Sequence, residues 1–170
     1  IQIEKTILVK YRDWLMCDKK YWLDQYNISL DTLKKFGVGP IERFWINGTP
    51  FLTEQLSYLY HYFISKDKRH IVKIYQPKSS SFKWMSNSGH LQVIQGEGML
   101  PKFGELLVIT KSLKDVMVLY EMGITAIAPQ SETTPINNIY FNKQRDRFKR
   151  IVLFYDNDNA GIKSAKIHSE

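Results

Sequence analysis

After Gly104 the sequence alternates short apolar runs with amphipathic ones, and no other feature restricts the fold as much. Residues 106–110 form a continuous apolar run of the buried-strand kind, and Ser112 with Asp115 is a capping box that opens a helix ending at Gly123. Residues 124–128 make a second buried strand, a helix is expected near 136–147, residues 151–155 make a third strand, and 160–168 a third helix. This β-α-β-α-β-α order predicts an α/β fold with a central parallel sheet and right-handed crossovers. Ligands of such sheets gather beyond the carboxyl ends of the strands.

Before Gly104 the pattern is different. Residues 1–40 read as helical, with Tyr21, Trp22 and Tyr26 at mixed helical spacings and Ser29 capping a short helix over 30–36 that stops at Gly37. From Ile41 the period becomes two, and the strand 43–46 enters Asn47-Gly48, a strong hairpin signal. Residues 56–64 and 70–75 predict a second hairpin around the charged tip 66–69, and 83–85 a short strand after the loop Ser79-Ser80-Ser81. The expected architecture is an α+β amino-terminal lobe with hairpins over residues 1–104, followed by the α/β domain over 105–170.

Charge separates the same two parts. Residues 1–104 carry 15 basic and 9 acidic side chains and residues 105–170 carry 9 and 8, so nearly all of the net charge of +7 lies in the first part. That half is the expected polyanion-binding half. The single cysteine, Cys17, excludes an internal disulfide framework and a Cys-based zinc site within the chain. No apolar run approaches the roughly 18 residues needed to span a bilayer, so no membrane partner is expected, and Glu4-Lys5 breaks the apolar start at once. A first residue other than Met and a last residue inside a helical pattern read as an excerpt of a longer protein.

The sharpest chemical feature is Tyr155-Asp156-Asn157-Asp158-Asn159-Ala160-Gly161, directly after the apolar residues 151–154. Carboxylates at i and i+2, at the carboxyl end of a strand, suit a hard cation such as Mg2+, which takes one or two carboxylates and keeps waters or substrate phosphates. The structural alternative is that Asp156 ends the strand and Asp158 caps the following helix. His61, His70, His90 and His168 show no metal-ligand spacing.

Residues 107–115, Gly123-Ile124 and the run 156–161 together resemble the TOPRIM domain of primases and topoisomerases, in which one strand ends in Glu-Gly-x-x-Asp and a later one in Asp-x-Asp-x-x-Gly. Residues 28–39 are similar to the opening helix segment of DnaG-type and phage primase cores, and Lys83-Trp84-Met85-Ser86-Asn87 sits where that family has a Lys-aromatic segment. The likeness extends over most of residues 11–170. It implies a DNA primase catalytic core of phage-type replication, making short RNA primers from ribonucleoside triphosphates on a single-stranded DNA template by nucleotidyl transfer dependent on Mg2+ or Mn2+. It further implies a replicative helicase as partner, and the cytoplasm of a bacterial or phage-infected cell as location. Asp156 and Asp158 become the implied ligands of a two-metal site.

One departure stands out. With Asp115 aligned on the motif aspartate, Lys111 occupies the position of the family's acidic residue and Ser112 that of its glycine. Either Lys111 neutralises a phosphate as a point charge, or Glu132, after the second strand, supplies the lost carboxylate to catalysis and metal binding, with Glu97 a further substitute. Lys83 and Lys114 are expected to meet triphosphate, and Lys73, Lys78, Lys83 and Lys102 to line a nucleic-acid channel with Trp84 stacking on a base. The alternatives are a catalytically degenerate TOPRIM DNA-binding module of a primase-helicase, favoured by Lys111, or another TOPRIM enzyme, a nuclease or topoisomerase.

Overall fold

A computed structural model describes residues 5–131 and 134–169. The chain divides into two units, Ile1–Leu91 and Gln92–Glu170.

The first unit opens with strand β1 (Ile7–Tyr11). Helix α1 (Met16–Lys19) runs into one π-helical turn, Lys20–Asp24, and helix α2 (Leu30–Lys35) follows. Five strands complete the unit: β2 (Val38–Ile46), β3 (Thr49–Leu52), β4 (Tyr58–Ile64), β5 (His70–Tyr75) and β6 (Trp84–Ser86). All pairings are antiparallel, in the order β1-β2-β4-β5-β6, with β3 also on β2. The Asn47-Gly48 turn takes positive φ at both residues, 49° and 83°, as a tight hairpin demands. Ser29 caps α2 through the Thr32 N–H, as its spacing predicts.

β1 corrects the helical reading of residues 1–40. Residues 7–11 are mostly apolar and pair antiparallel with 41–46, which carries Ile7 into the core beside Ile41, Phe44, Leu59, Val72 and Ile74. Cross-strand pairing, which local periodicity does not report, decides this segment. The other face of the sheet is aromatic. Because successive side chains of β4 point to opposite faces, Leu59 enters the aliphatic core while Tyr58 meets Tyr21 and Trp22, with ring centroids 6.0 and 5.1 Å away. Beneath Tyr58 lies Asp18, fully buried and fully satisfied: it accepts from Arg12 Nη1 and Nη2 at 2.6 and 2.9 Å, from Tyr58 Oη at 2.9 Å and from the Leu15 N–H at 2.8 Å.

The second unit contains β7 (Ile94–Gln95), a 3-10 turn at Glu97–Met99, β8 (Gly104–Ile109), α3 (Leu113–Glu121), β9 (Ala126–Pro129), α4 (Asn138–Arg145), β10 (Phe148–Leu153) and α5 (Asn159–Ser169). The sheet order is β10-β8-β9-β7, with β10, β8 and β9 parallel and β7 antiparallel to β9. This is the α/β arrangement that the alternation after Gly104 predicts. The short β7 pairs Ile94 with Pro129 and Gln95 with Ala128, so residues 92–104 join the second unit although their pattern had placed them with the first lobe. β10 starts at Phe148, before the apolar run, because Phe148 pairs with Gly104; a Cβ at Gly104 would sit 2.7 Å from the Phe148 ring. Among the described residues no helix is long and apolar enough to cross a membrane.

Candidate functional site

In the second unit, β8 and β10 are hydrogen-bonded neighbours, and their carboxyl ends deliver the residues that follow to one edge of the sheet. Ile109 pairs with Leu153, and the ladder runs one step further through the Phe154 N–H to the Ile109 carbonyl at 2.8 Å. Lys111 and Asp156 therefore emerge side by side, and the Lys111 ammonium makes an ion pair with Asp156 Oδ2. Both remain accessible, their side chains 30% and 51% exposed.

Asp158 does what the structural alternative expects. Its Oδ1 accepts the Gly161 N–H at 2.8 Å and its carbonyl accepts the Ile162 N–H at 2.9 Å, so it caps α5. Gly161 is required for a second reason: a Cβ there would run into the Asp156 carbonyl and lie 3.0 Å from the Asp156 nitrogen. The glycine of the Asp-x-Asp-x-x-Gly run thus lets α5 start against the backbone of the first aspartate. At the end of β8, Ser112 caps α3 through the Asp115 N–H, as expected, but the Asp115 carboxylate accepts the Ser112 hydroxyl at 2.7 Å, which is the N-cap half of the expected capping box without its reciprocal backbone bond. Asp115 is occupied locally, and Lys114, half-buried, lies beside it in the first turn of α3.

The donor set tests the metal expectation. Asp156 and Asp158 are hard oxygen donors at the right edge of the sheet and suit one Mg2+ or Mn2+. Asp156 faces an ammonium, Asp115 accepts the Ser112 hydroxyl, and the described residues contain no group of three or more His, Cys, Asp or Glu arranged to hold a metal. Glu132 lies outside the described residues. Glu97 sits in the 3-10 turn after β7.

The remaining predicted residues fall in both units. Lys102 is exposed in the second unit, with Nζ 5.5 Å from the Phe103 ring centroid. Lys73, Lys78, Lys83 and Trp84 belong to the first. Lys78 and Lys83 are exposed in the β5–β6 connection, whereas Lys73, on β5, is half-buried with its ammonium 4.2 Å from the Trp84 ring centroid. Trp84 is also stacked on Tyr75, 4.0 Å between centroids and 12° between planes. Desolvation pulls the Lys73 ammonium down to about 8. This environment was not legible in the sequence, because the residues that remove water from Lys73 arrive from neighbouring strands.

Histidine spacing also missed one pair. His61 Nε2 and His70 Nδ1 lie 2.9 Å apart across the β4–β5 hairpin, where a bulge between His61 and Phe63 shifts the register. Burial, and then His70, lowers the His61 value. The pair lies on a cavity of about 380 Å3 lined by Ile7, Leu59 and Val72 and by Lys5, Lys68 and Arg69, with no acidic side chain among the described lining residues. Only the register of the folded hairpin brings these residues together.

Comparisons with known proteins agree with this architecture. A family model described as Toprim-like matches residues 108–170. No curated protein sequence matches the chain at a significant level. Among solved structures, the DnaG catalytic core is similar with a TM-score of 0.62 at 14% identity, over 89% of this chain and 58% of that one. The DnaG primase catalytic domain bound to ssDNA gives 0.62 at 15%, over 92% and 61%. A chain of the complex in which bacteriophage T7 lagging-strand DNA polymerase interacts with primase domains bound to an RNA/DNA hybrid and dTTP gives 0.58 at 15%, over 96% and 74%. The chain spans between 58% and 74% of the length of these three structures.

Proposed function

From a Toprim-like domain at residues 108–170, in a chain with the fold of DnaG-type and phage primase catalytic cores, we propose that this protein is the catalytic core of a DNA primase, synthesising short RNA primers on single-stranded DNA by nucleotidyl transfer. The observation that carries the reading is the convergence of Lys111, Asp156 and Asp158 at the carboxyl ends of neighbouring parallel strands, where α/β folds bind phosphate-bearing ligands. Asp156 and Asp158 would hold one Mg2+ or Mn2+, which supplies charge neutralisation for the incoming triphosphate. Gly161 keeps the Asp156 backbone seated against α5, and the capped starts of α3 and α5 fix where Lys111 and Asp158 leave the sheet edge. In the first unit, Lys73, Lys78 and Lys83 present positive charge to the template backbone beside Trp84, and Lys102 and Lys114 add charge in the second. The substrates are ribonucleoside triphosphates and the partner in replication is a helicase; the replication machinery of a phage is the setting this chemistry suits.

The second reading, a degenerate DNA-binding module of a primase-helicase, is favoured by one observation: Asp156 is already neutralised by Lys111. Primer synthesis on mixed single-stranded templates with labelled ribonucleotides and Mg2+ or Mn2+ separates the two. Short RNA products that disappear in an Asp156→Ala/Asp158→Ala variant are expected. Tight binding of single-stranded DNA without product in any condition would replace the primase reading with the binding module.

A further inference from the structure

Among the described residues, the Lys111–Asp156 ion pair puts a positive charge at the sheet edge where the expected chemistry calls for an acid. A solvent-accessible pair of this kind contributes little to stability, so stability is a poor reason for its presence. Its position is more informative. It joins the residues following two hydrogen-bonded parallel strands, beside the N-terminus of α5 and its capping carboxylate, Asp158. A site there would otherwise carry the negative charges of Asp156 and Asp158 and call for divalent cations to balance them. The chain instead provides a cation of its own, on a flexible four-carbon stem, already seated on one of the two carboxylates.

We propose that the Lys111 ammonium is a tethered counter-ion that stands in for one divalent metal, so that the Asp156–Asp158 edge takes a single Mg2+ or Mn2+ where a two-ion arrangement would need a third carboxylate. The inference rests on the reading of Asp156 and Asp158 as a metal-binding pair. Its chemistry is that of a fixed point charge: the ammonium cannot polarise a water as a metal does, but it neutralises Asp156 and can swing to a phosphate oxygen when one arrives. It also competes with the metal. A unit charge about 4 Å from a divalent ion weakens binding about 30-fold by Coulomb's law in water, which salt screening reduces to about tenfold. Asp115, the other carboxylate of the motif, accepts the Ser112 hydroxyl.

The test is direct Mn2+ binding, by electron paramagnetic resonance titration and by calorimetry, on the wild-type protein and on Lys111→Ala, Lys111→Met, Lys111→Glu and Asp156→Asn variants, each checked for native circular dichroism. Lys111 is partly exposed, so the neutral replacements are compatible with the fold. The expected result is at most one weakly held Mn2+ in the wild type, about tenfold tighter binding in both neutral variants, and a second bound ion in Lys111→Glu. Equal affinity and a stoichiometry of one in all Lys111 variants, with binding lost in Asp156→Asn, would overturn the tethered cation and leave the metal-binding pair standing. No Mn2+ bound by any variant, Lys111→Glu included, would overturn both the pair and the inference resting on it. Two ions in the wild type would refute the substitution outright.

Discussion

Replacing Lys73 with methionine should stabilise the protein at neutral pH while weakening its hold on nucleic acid. Methionine keeps an unbranched apolar stem on β5 and removes the ammonium that burial penalises. The gap between the ordinary lysine value of 10.5 and about 8 corresponds to about 3 kcal/mol at 1.36 kcal/mol per pH unit. The Trp84 ring, 4.2 Å from Nζ, returns about 1–2 kcal/mol of that to the charged form. The variant should therefore gain about 1–2 kcal/mol, read as a higher urea midpoint at pH 7. The pH dependence fixes the sign. With the folded-state value depressed, the unfolded chain binds more protons between about 8 and 10.5, so wild-type stability rises with pH across that window. Tyr60 and Tyr62, raised by burial, work the other way above pH 10, because the unfolded chain ionises there first, and they do so in both proteins. The informative quantity is then the difference between variant and wild type, which should be largest at pH 7 and narrow steadily from pH 8 to 9.5. A variant no more stable than the wild type at pH 7, with a difference that does not change with pH, would refute the account of Lys73 as a desolvated cation.

Three further changes test other parts of the structure. Gly161→Ala would drive a methyl group into the Asp156 carbonyl and should weaken Mn2+ binding several-fold with little loss of helix content, measured by calorimetry beside circular dichroism. Asp18→Asn leaves Arg12 without its bidentate carboxylate and should cost about 3 kcal/mol in urea denaturation. Although desolvation opposes it, hydrogen bonding from Arg12, Leu15 and Tyr58 holds Asp18 below the usual carboxylate range, so its stabilisation is present above about pH 4 and is lost as pH falls through the folded value; the variant should lack that acid-side loss. Affinity for single-stranded DNA should fall linearly on a logarithmic salt scale, with a shallower slope when Lys78 and Lys83 are both changed to Gln, as fluorescence anisotropy would report; an unaltered slope removes these two lysines from the interface.

What the sequence disclosed follows from how local each signal is. The Asn47-Gly48 turn, the Ser29 and Ser112 caps and the parallel strands were legible because each depends on residues close together in the chain, or on apolar runs too long for an exposed strand. The edge carrying Asp156 and Asp158 was legible for the same reason, as a charged run closing an apolar strand. β1 was hidden because a short apolar segment becomes a strand only when another strand pairs with it. The Lys111–Asp156 pair, the His61–His70 pair and the dry environment of Lys73 were invisible for a deeper reason: each depends on register between strands, and register is a property of the assembled sheet.

The parallel pairing of β8 with β10 also sets an order of events. In the first unit, β2 with β3 and β4 with β5 are hairpins whose partners are near neighbours in the chain, and such contacts form early. β8 must wait for β10, since Gly104 finds Phe148 only after α3, β9 and α4 have been laid down between them, and closing that long loop costs entropy before any contact repays it. Lys111 and Asp156 lie just past the paired ends of those two strands, so their ion pair depends on that pairing. The charge-paired edge of the second unit therefore requires β10 on β8, and a chain in which those strands are apart displays two separate, unbalanced charges instead of a site.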